Sequence, residues 1–372
     1  QCRVTRYDIV QAIQQVSRVI PAQPTHPAFA TIEWTADAAR GSLVLRATDG
    51  VTEIQRRIPA QVDEAGVVGV LARLAADIIS RLSDGDITIR QTAVDALRIE
   101  FGGNYVRLHT VSEPIPHWPA SAESPDASDS ALWPVGTAGQ WLRQLAFAVA
   151  TDASRPALQG IHVQAAPDAW TAAATDGTRI SWVHQPLTGM STTRSAIWPV
   201  KALRELAVIN ENAPITMRWD AQSLEAATEF AVVRTRFLEG TFPNVQAVRP
   251  TTFVVEGTVD MAQLRAAVER AAVIATQQTG LPAIEIEHDA SRLIVRAAAE
   301  TGEAWEVIPC VSDGARLALR VSPRLVLDAL RSLTGDTVQF AWAGPQAPLV
   351  WQSPTDSGYV HWMLPLRVVE QG

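Results

Sequence analysis

LVLRATDG at residues 43–50, WTAAATDG at 170–177 and LIVRAAAETG at 293–302 are three similar stretches of the chain. Each is an apolar run of β type that closes on a glycine turn. The closing glycines, Gly50, Gly177 and Gly302, are almost evenly spaced. Similar segments at even spacing are typical of an internal repeat, so we predict three copies of one structural unit.

Each copy is predicted to contain two helices followed by alternating strands. The first helix follows a pair of capping residues: Thr5 with Asp8, Thr137 with Gln140, and Asp260 with Gln263. Apolar residues then recur at helical spacing, which predicts one core-facing side for each helix. The second helix is predicted to start near Leu71, Val200 and Ser322.

The repeat predicts an α+β fold of three tandem domains, each with two helices packed on antiparallel sheets. A chain of 372 residues is too long for one compact core of ordinary size. We place the domains at 1–125, 126–250 and 251–372. Residues 119–131 are small, acidic and broken by proline, which is typical of a linker.

The charges are unevenly distributed. A net charge of −8 argues at first against a nucleic-acid partner, because phosphate binding needs clustered cations. The six predicted helices nevertheless carry more cations than anions. One positive surface on an acidic protein favours sequence-independent contact with duplex DNA. The cations predicted to face DNA are Arg6, Arg18, Arg73, Arg81, Arg143, Lys201, Arg204, Arg265, Arg324 and Arg331. The alternative is an ordinary solvated basic face on each helix.

No motif typical of an enzyme is present, whether phosphate loop, nucleophile elbow, zinc-protease helix or EF-hand loop. Asp49 and Asp176 lie in glycine turns, where Asp commonly bonds the backbone, so a catalytic carboxylate pair is the less favoured alternative. Cys2 and Cys310 belong to no Cys/His cluster and are predicted to be buried thiols. We expect a non-catalytic protein without metal or cofactor.

The chain lacks an apolar run long enough to cross a bilayer, and its N-terminus lacks the pattern of a signal peptide. We therefore expect a soluble, cytoplasmic protein with no membrane partner.

The repeated ATDG turns, TFPNVQAVRP at 241–250 and HWMLPLR at 361–367 resemble the bacterial DNA polymerase III β subunit. The resemblance covers essentially the whole chain and rests on the order and spacing of the signatures, because a TDG turn alone is common. It implies three DNA-clamp domains per subunit and a head-to-tail dimeric ring. It also implies a sliding clamp that encircles duplex DNA and confers processivity on the replicative polymerase.

The resemblance further implies a pocket for short linear peptides of the DNA polymerase III α subunit, other polymerases, the clamp loader and repair proteins. The matching residues are Leu158, Thr175, Gly177, Arg179, Ile180, Pro243, Val248, Met363, Leu364, Pro365 and Leu366. Pro365 is predicted to end the last strand, so that the tail forms one groove wall and Arg179 the other. Alternatively, these residues simply fill the seam between the second and third domains.

The subunit interface implied by the resemblance joins Val106 and Leu108 to Val273 and Ile274. Taken as isolated residues, all four would more often be ordinary core.

Three places depart from the family pattern. Ala247 replaces a pocket arginine, Gln23 replaces an arginine that would face DNA, and Pro156-Ala157 replaces aromatic residues. These departures imply weaker DNA contact and keep open a second possibility, a clamp-derived scaffold that binds peptides without encircling DNA. The chain also continues past Arg367 as VVEQG, whose role the sequence leaves open.

Overall fold

The computed structural model describes residues 1–116 and 130–366. Most of the predicted linker at 119–131, and the VVEQG extension with Arg367, lie outside the described residues. The chain forms two compact units. The first comprises Gln1–Gly139, Gly189–Ser191 and Lys201–Phe237, and the second comprises Gln140–Thr188, Thr192–Val200 and the chain from Leu238 onward.

The first unit contains two antiparallel sheets. The five-stranded sheet has, in spatial order, β5 (Gln61–Val62), β1 (Cys2–Thr5), β7 (Asp86–Ala93), β8 (Ala96–Phe101) and β9 (Asn104–His109). The eight-stranded sheet has β10 (Ser130–Trp133), β15 (Ile215–Trp219), β16 (Ser223–Ala227), β17 (Ala231–Arg236), β4 (Thr52–Pro59), β3 (Ser42–Thr48), β2 (Thr31–Asp37) and β6 (Gly66–Leu71).

The second unit is built on one antiparallel sheet of twelve strands. In spatial order these are β14 (Arg194–Pro199), β11 (Gly160–Ala165), β12 (Trp170–Thr175), β13 (Arg179–Gln185), β25 (Asp356–Met363), β24 (Leu349–Ser353), β23 (Thr337–Trp342), β18 (Val255–Asp260), β21 (Gly302–Gly314), β20 (Arg292–Ala299), β19 (Ile284–Asp289) and β22 (Leu317–Val321).

Two α-helices occur in the described part of each repeat, as predicted. They are α1 (Arg6–Ser17) and α2 (Ala72–Ile79), α3 (Thr137–Leu145) and α4 (Val200–Ile209), and α5 (Met261–Ala275) and α6 (Pro323–Ser332). Of the stripe predicted for α1, Ile9, Ile13 and Val16 are buried, whereas Ile20 lies beyond the end of the helix and is only half-buried. The predicted fold class, helix pairs on antiparallel sheets, is confirmed. None of the helices in the described residues has the length and hydrophobicity that a membrane span needs.

Two of the three predicted capping pairs form. Thr5 Oγ1 accepts the Asp8 N–H at 3.1 Å, and Asp260 Oδ1 accepts the Gln263 N–H at 2.8 Å. The third prediction is wrong, because Thr137 is already the first residue of α3. Here the side chain of Asn210, at the end of α4, accepts the Ala138 N–H at 2.9 Å. A cap supplied from so far along the chain leaves no local signature.

The glycine turns behave as the repeat predicts. Gly50 and Gly177 have φ angles of 88° and 93°, which a residue with a side chain adopts at a cost. Asp49 Oδ1 accepts the Thr52 N–H at 2.7 Å, and Asp176 Oδ1 accepts the Thr178 N–H at 2.9 Å. Both carboxylates therefore hold turns, which disfavours the catalytic alternative.

The thiol prediction holds for one cysteine only. Cys2 is buried, whereas Cys310 on β21 is half-buried, so the expectation of a buried thiol is wrong there. Burial is the main reason that the pKa of each thiol is raised.

Strand pairing crosses the predicted domain boundaries. Strand β4 pairs with β17, with Thr52 opposite Thr235, and β13 pairs with β25, with Ile180 opposite Trp362. Two sheets are therefore shared by strands of different repeats. The boundaries at 125 and 250 remain a prediction from the repeat.

Candidate functional site

An apolar patch lies on one face of the twelve-stranded sheet, within the second unit. Strand alternation places Ile180 and Trp182 on this face, where they lie opposite Trp362 and Val360 in register. We define the groove cluster as the buried residues Ala173, Val245, Val360 and Trp362 and the partly buried residues Ile180, Trp182, Phe242 and Val350. Of these eight, only Ile180 was predicted from the sequence as a pocket residue.

The segment before Pro250 covers part of this face. Val245, in a short 3-10 turn, is buried in the groove cluster, whereas Val248 is 56% exposed. Phe242 stacks on the His162 ring at a centroid distance of 5.2 Å, and His162 is hydrogen-bonded to Ser195 at 2.7 Å. The predicted residues Pro243 and Val248 are thus exposed, and the buried Val245 and the partly buried Phe242 anchor their segment.

The turn between β12 and β13 brings three more predicted residues together. Thr175 Oγ1 donates to the Arg179 carbonyl at 2.7 Å and accepts the Gly177 N–H at 3.0 Å. A Cβ on Gly177 would lie 2.9 Å from Arg155 Nη1, the end of a flexible side chain that can move away, so glycine is needed here for its φ angle. Arg155 is exposed at this turn, while Leu158 next to it is nearly buried. Arg155 was not among the residues predicted from the sequence.

Arg179 was predicted to lie on the second groove wall, but its side chain is buried and bonded. Its Nε donates to Asp176 at 2.9 Å and its Nη1 to Asp328 at 2.7 Å, while Nη2 donates to the Phe147 carbonyl. The guanidinium also lies 5.1 Å from the Phe147 ring centroid. Arg179 therefore ties the start of β13 to α6 and to the segment after α3.

The predicted strand end is confirmed, since β25 stops at Met363, before Pro365. Met363 is fully buried, whereas Leu364 is 45% exposed. The Leu364 N–H bonds the Thr178 carbonyl at 2.9 Å, and the Leu366 N–H bonds the Arg320 carbonyl at 2.7 Å. The tail is therefore held between the β12–β13 turn and β22, with Leu364 as its most exposed apolar side chain.

A buried polar cluster lies on the opposite face of β13 and β25. His361 Nδ1 is hydrogen-bonded to Ser181 Oγ at 2.9 Å, and Tyr359 is hydrogen-bonded to Ser332 at 2.8 Å. Burial lowers the pKa of His361 to about 3, and the positive charge of Arg179 acts in the same direction. His361 is therefore neutral in the folded protein at ordinary pH.

We expect acid to destabilise the fold through His361. The pKa of His361 in the folded protein is lowered below its ordinary value of 6.5. Below that pH the unfolded chain therefore binds a proton at this residue, whereas the folded chain does not. Through this one group, the free energy of unfolding should fall by about 1.4 kcal/mol per pH unit as the pH drops from about 6.5 to about 3.

Urea unfolding of the wild type and of His361→Gln, from about pH 7 down to about pH 4, measures this effect. The gap in unfolding free energy between the two proteins should shift in favour of the variant as the pH falls. A gap independent of pH would contradict the assignment.

The cations predicted to face DNA fall into two groups. Six are already in ion pairs: Arg6 with Asp84, Arg18 with Glu205, Arg81 with Asp77, Lys201 with Asp49, and Arg324 and Arg331 with Asp328. The other four, Arg73, Arg143, Arg204 and Arg265, are exposed and have no ion pair among the residues that the structure describes. These four carry the charge most available to a phosphate backbone.

In the first unit, the predicted interface residues lie on β9, an edge strand that pairs with β8. Val106 is half-buried, but Leu108 is 4% exposed. Leu108 is therefore core of its own domain, and its side chain offers little area to another subunit. Sequence analysis missed the neighbouring Tyr105, which is 58% exposed with Arg98 Cζ 4.0 Å from its ring centroid.

In the second unit, the predicted interface residues lie at the end of α5. Val273 is 65% exposed and Ile274 is half-buried. Trp305, on β21, was not predicted, yet it is 61% exposed with Arg296 Cζ 3.9 Å from its ring centroid. Exposed apolar side chains of this size are typical of protein interfaces.

Three family models match the chain in order. They are those of the DNA polymerase III β subunit, with the N-terminal domain at residues 1–117, the central domain at 137–244 and the C-terminal domain at 246–367. Together the three matches cover nearly the whole chain.

Relatives match over similar lengths. The beta sliding clamp of Synechococcus elongatus is 29% identical over 358 residues, which cover 91% of this chain and 92% of the relative. That of Synechocystis is 26% identical and covers 97% and 98% of the two chains. The crystal structure of the Bacillus subtilis DNA polymerase sliding clamp matches this chain with a TM-score of 0.92 at 21% identity, over 99% of each chain. At this identity the match supports the fold.

Proposed function

This chain belongs to the DNA polymerase III β-subunit family, and we propose that it serves its replicative polymerase as a sliding clamp that encircles duplex DNA. A clamp of this family is a processivity factor and not an enzyme. The observation that carries the proposal is the run of three domain matches, in order and nearly without gaps, from residue 1 to residue 367. The scaffold that binds peptides without DNA is not favoured by so complete a match.

In this proposal two copies of the chain, each of three clamp domains (1–125, 126–250 and 251–372), close head to tail into a ring. An interface that joins two different surfaces of each subunit makes a ring when the rotation closes. We place Val106, Val273 and Ile274 at that interface, with Tyr105 and Trp305 beside them. Leu108, on the same strand as Val106, lies in the domain core behind this interface.

The inner surface is proposed to meet DNA through Arg73, Arg143, Arg204 and Arg265. These lie on four different helices, α2 to α5, and none has an ion pair within the described part of the chain that phosphate would have to break. The six paired cations should add less to the affinity for DNA, because each of them must leave a protein partner to contact a phosphate. Direct affinity should therefore be weak and sensitive to salt, as suits a ring that slides.

The partly buried members of the groove cluster, Ile180, Trp182, Phe242 and Val350, and the exposed Leu364 are proposed to dock short peptides of the polymerase α subunit, other polymerases, the clamp loader and repair proteins. An apolar floor with a few polar groups at its rim is typical of a peptide site. Burial of one Leu or Phe is worth about 1.5–3 kcal/mol, so affinities should be moderate and exchange rapid. Such a site would serve these partners in turn, in the cytoplasm.

Extension of a primed circular template by the cognate polymerase and clamp loader tests the function. The wild-type protein should lengthen the products of each binding event, and the double variant Arg73→Glu/Arg265→Glu should lengthen them much less. The variant should also reduce the slope of log affinity against log salt by about two, one for each lost phosphate contact.

Arg40→Glu/Arg90→Glu is the matched control, because it changes the net charge equally at two exposed arginines outside the helices. Equal loss of product length in both double variants would show that only overall charge matters. Failure of the wild-type protein to lengthen products would overturn the proposed function.

A further inference from the structure

A cleft of about 940 Å³ opens on the same sheet face as the groove cluster. Arg249, Pro250, Thr251 and Phe253 line part of it, and residues of β18, β21, β23, β24 and β25 line the rest. Val350 and Val360 belong both to this cleft and to the groove cluster. The two surfaces are therefore continuous within the second unit.

Arg249 lies where the two surfaces meet. It lines the cleft, and its Cζ is 5.4 Å from the ring centroid of Trp182, a member of the groove cluster. The side chain is exposed and has no ion pair among the described residues. Contact with the face of an aromatic ring orients a guanidinium while leaving its charge available.

The far end of the cleft has the opposite charge. Glu256 on β18 and Asp313 on β21 lie directly opposite each other in the strand register, and both are exposed. Like charges in this position repel each other, and a cation bound between them would relieve the repulsion. The cleft thus runs from a cation beside the groove cluster to a pair of carboxylates.

We propose that this cleft holds the stretch of a partner peptide that flanks its apolar docking motif. An acidic residue of that stretch pairs with Arg249, and a basic residue further along pairs with Glu256 and Asp313. The inference rests on the proposed peptide docking at the groove cluster and assigns the charge pattern that its partners carry.

The sheet sets the spacing of that pattern. Trp182 on β13 and Glu256 on β18 are separated by β25, β24 and β23, a distance of about 19 Å at the usual spacing of strands. An extended peptide rises about 3.3 Å per residue, so the basic residue should lie about six positions from the acidic one.

The test uses fluorescence anisotropy with the full-length protein and a labelled polymerase-tail peptide. The core probe contains the apolar motif alone. Longer probes add a flank at either end, with Asp, Asn or Arg at the position next to the motif. Each probe is titrated against wild type, Arg249→Glu and Arg249→Lys.

At one end of the motif, the Asp flank should bind the wild-type protein several-fold more tightly than the Arg flank. Arg249→Glu should invert that order, and Arg249→Lys should retain it. A factor of about five is expected, which is the upper range for an exposed ion pair, and it should vanish at about 1 M salt.

The outcomes separate the two proposals. If the core probe binds but flank charge has no effect at either end, or if Arg249→Glu shifts all probes alike, the cleft assignment is overturned and the groove stands. If the core probe does not bind, peptide docking and the cleft assignment both fall.

Discussion

A chain that ends at Met363 is expected to lose peptide binding by more than about tenfold while it stays folded and dimeric. The cut removes Leu364, which is 45% exposed, together with Pro365 and Leu366. It leaves Met363, which is fully buried and paired with Arg179 across the sheet, so β25 stays complete. Anisotropy with the labelled polymerase-tail peptide measures the loss.

A chain that ends at Leu366 is the matched control and should bind the peptide as the full chain does. The milder variant Leu364→Ala should weaken binding by about tenfold, which corresponds to about 1.4 kcal/mol of lost contact. Undiminished binding by the chain that ends at Met363 would show that the groove is misplaced, while the ring proposal would stand.

The double variant Val273→Asp/Ile274→Ala is expected to convert the dimer to monomer. Val273 is 65% exposed and apolar, so in a closed ring it would be buried against the partner subunit. An aspartate buried there without a cation costs several kcal/mol, more than most interfaces can lose without dissociating. Light scattering coupled to size exclusion reports the mass directly.

Val135→Asp controls for the charge, since Val135 is also exposed, at 53%, but lies outside the proposed interface. Its mass should equal that of the wild type. If the Val273→Asp/Ile274→Ala protein keeps the dimer mass, the interface lies elsewhere on the subunit.

Local features of this fold were predictable from the sequence because their causes are local. The capping pair at Asp260 and the left-handed turns at Gly50 and Gly177 each depend on a few consecutive residues. Their recurrence then predicts three repeats, even though no single signature is specific. The end of β25 before Pro365 follows from the missing N–H of proline.

Features that depend on distant partners were not predictable in this way. Arg179 matches a pocket position, but its burial depends on Asp328, which lies 149 residues away. Likewise, Arg18 is a free cation in the sequence and the partner of Glu205 in the fold. No local pattern encodes such pairs, so charge counts along a helix overestimate the charge available to DNA.

The groove residues also divide into those predictable from the sequence and those that depend on distant strand pairing. Sequence resemblance pointed to Ile180 and Val248, whereas Trp182 and Trp362 emerge as groove residues only once β13 and β25 are paired. Strand register decides which alternate side chains share a face, and register between distant strands is set by the whole sheet.

Retention on circular and linear DNA tests the central proposal most directly. The protein is loaded by the cognate clamp loader onto nicked circular DNA, unbound protein is removed, and half of the sample is cut once with a restriction enzyme. A ring held only by encirclement should remain on the circles and run off the cut molecules, with little dependence on salt for the circles. Equal retention on both forms, lost in parallel as salt rises, would mean that direct binding holds the protein and that it does not encircle DNA.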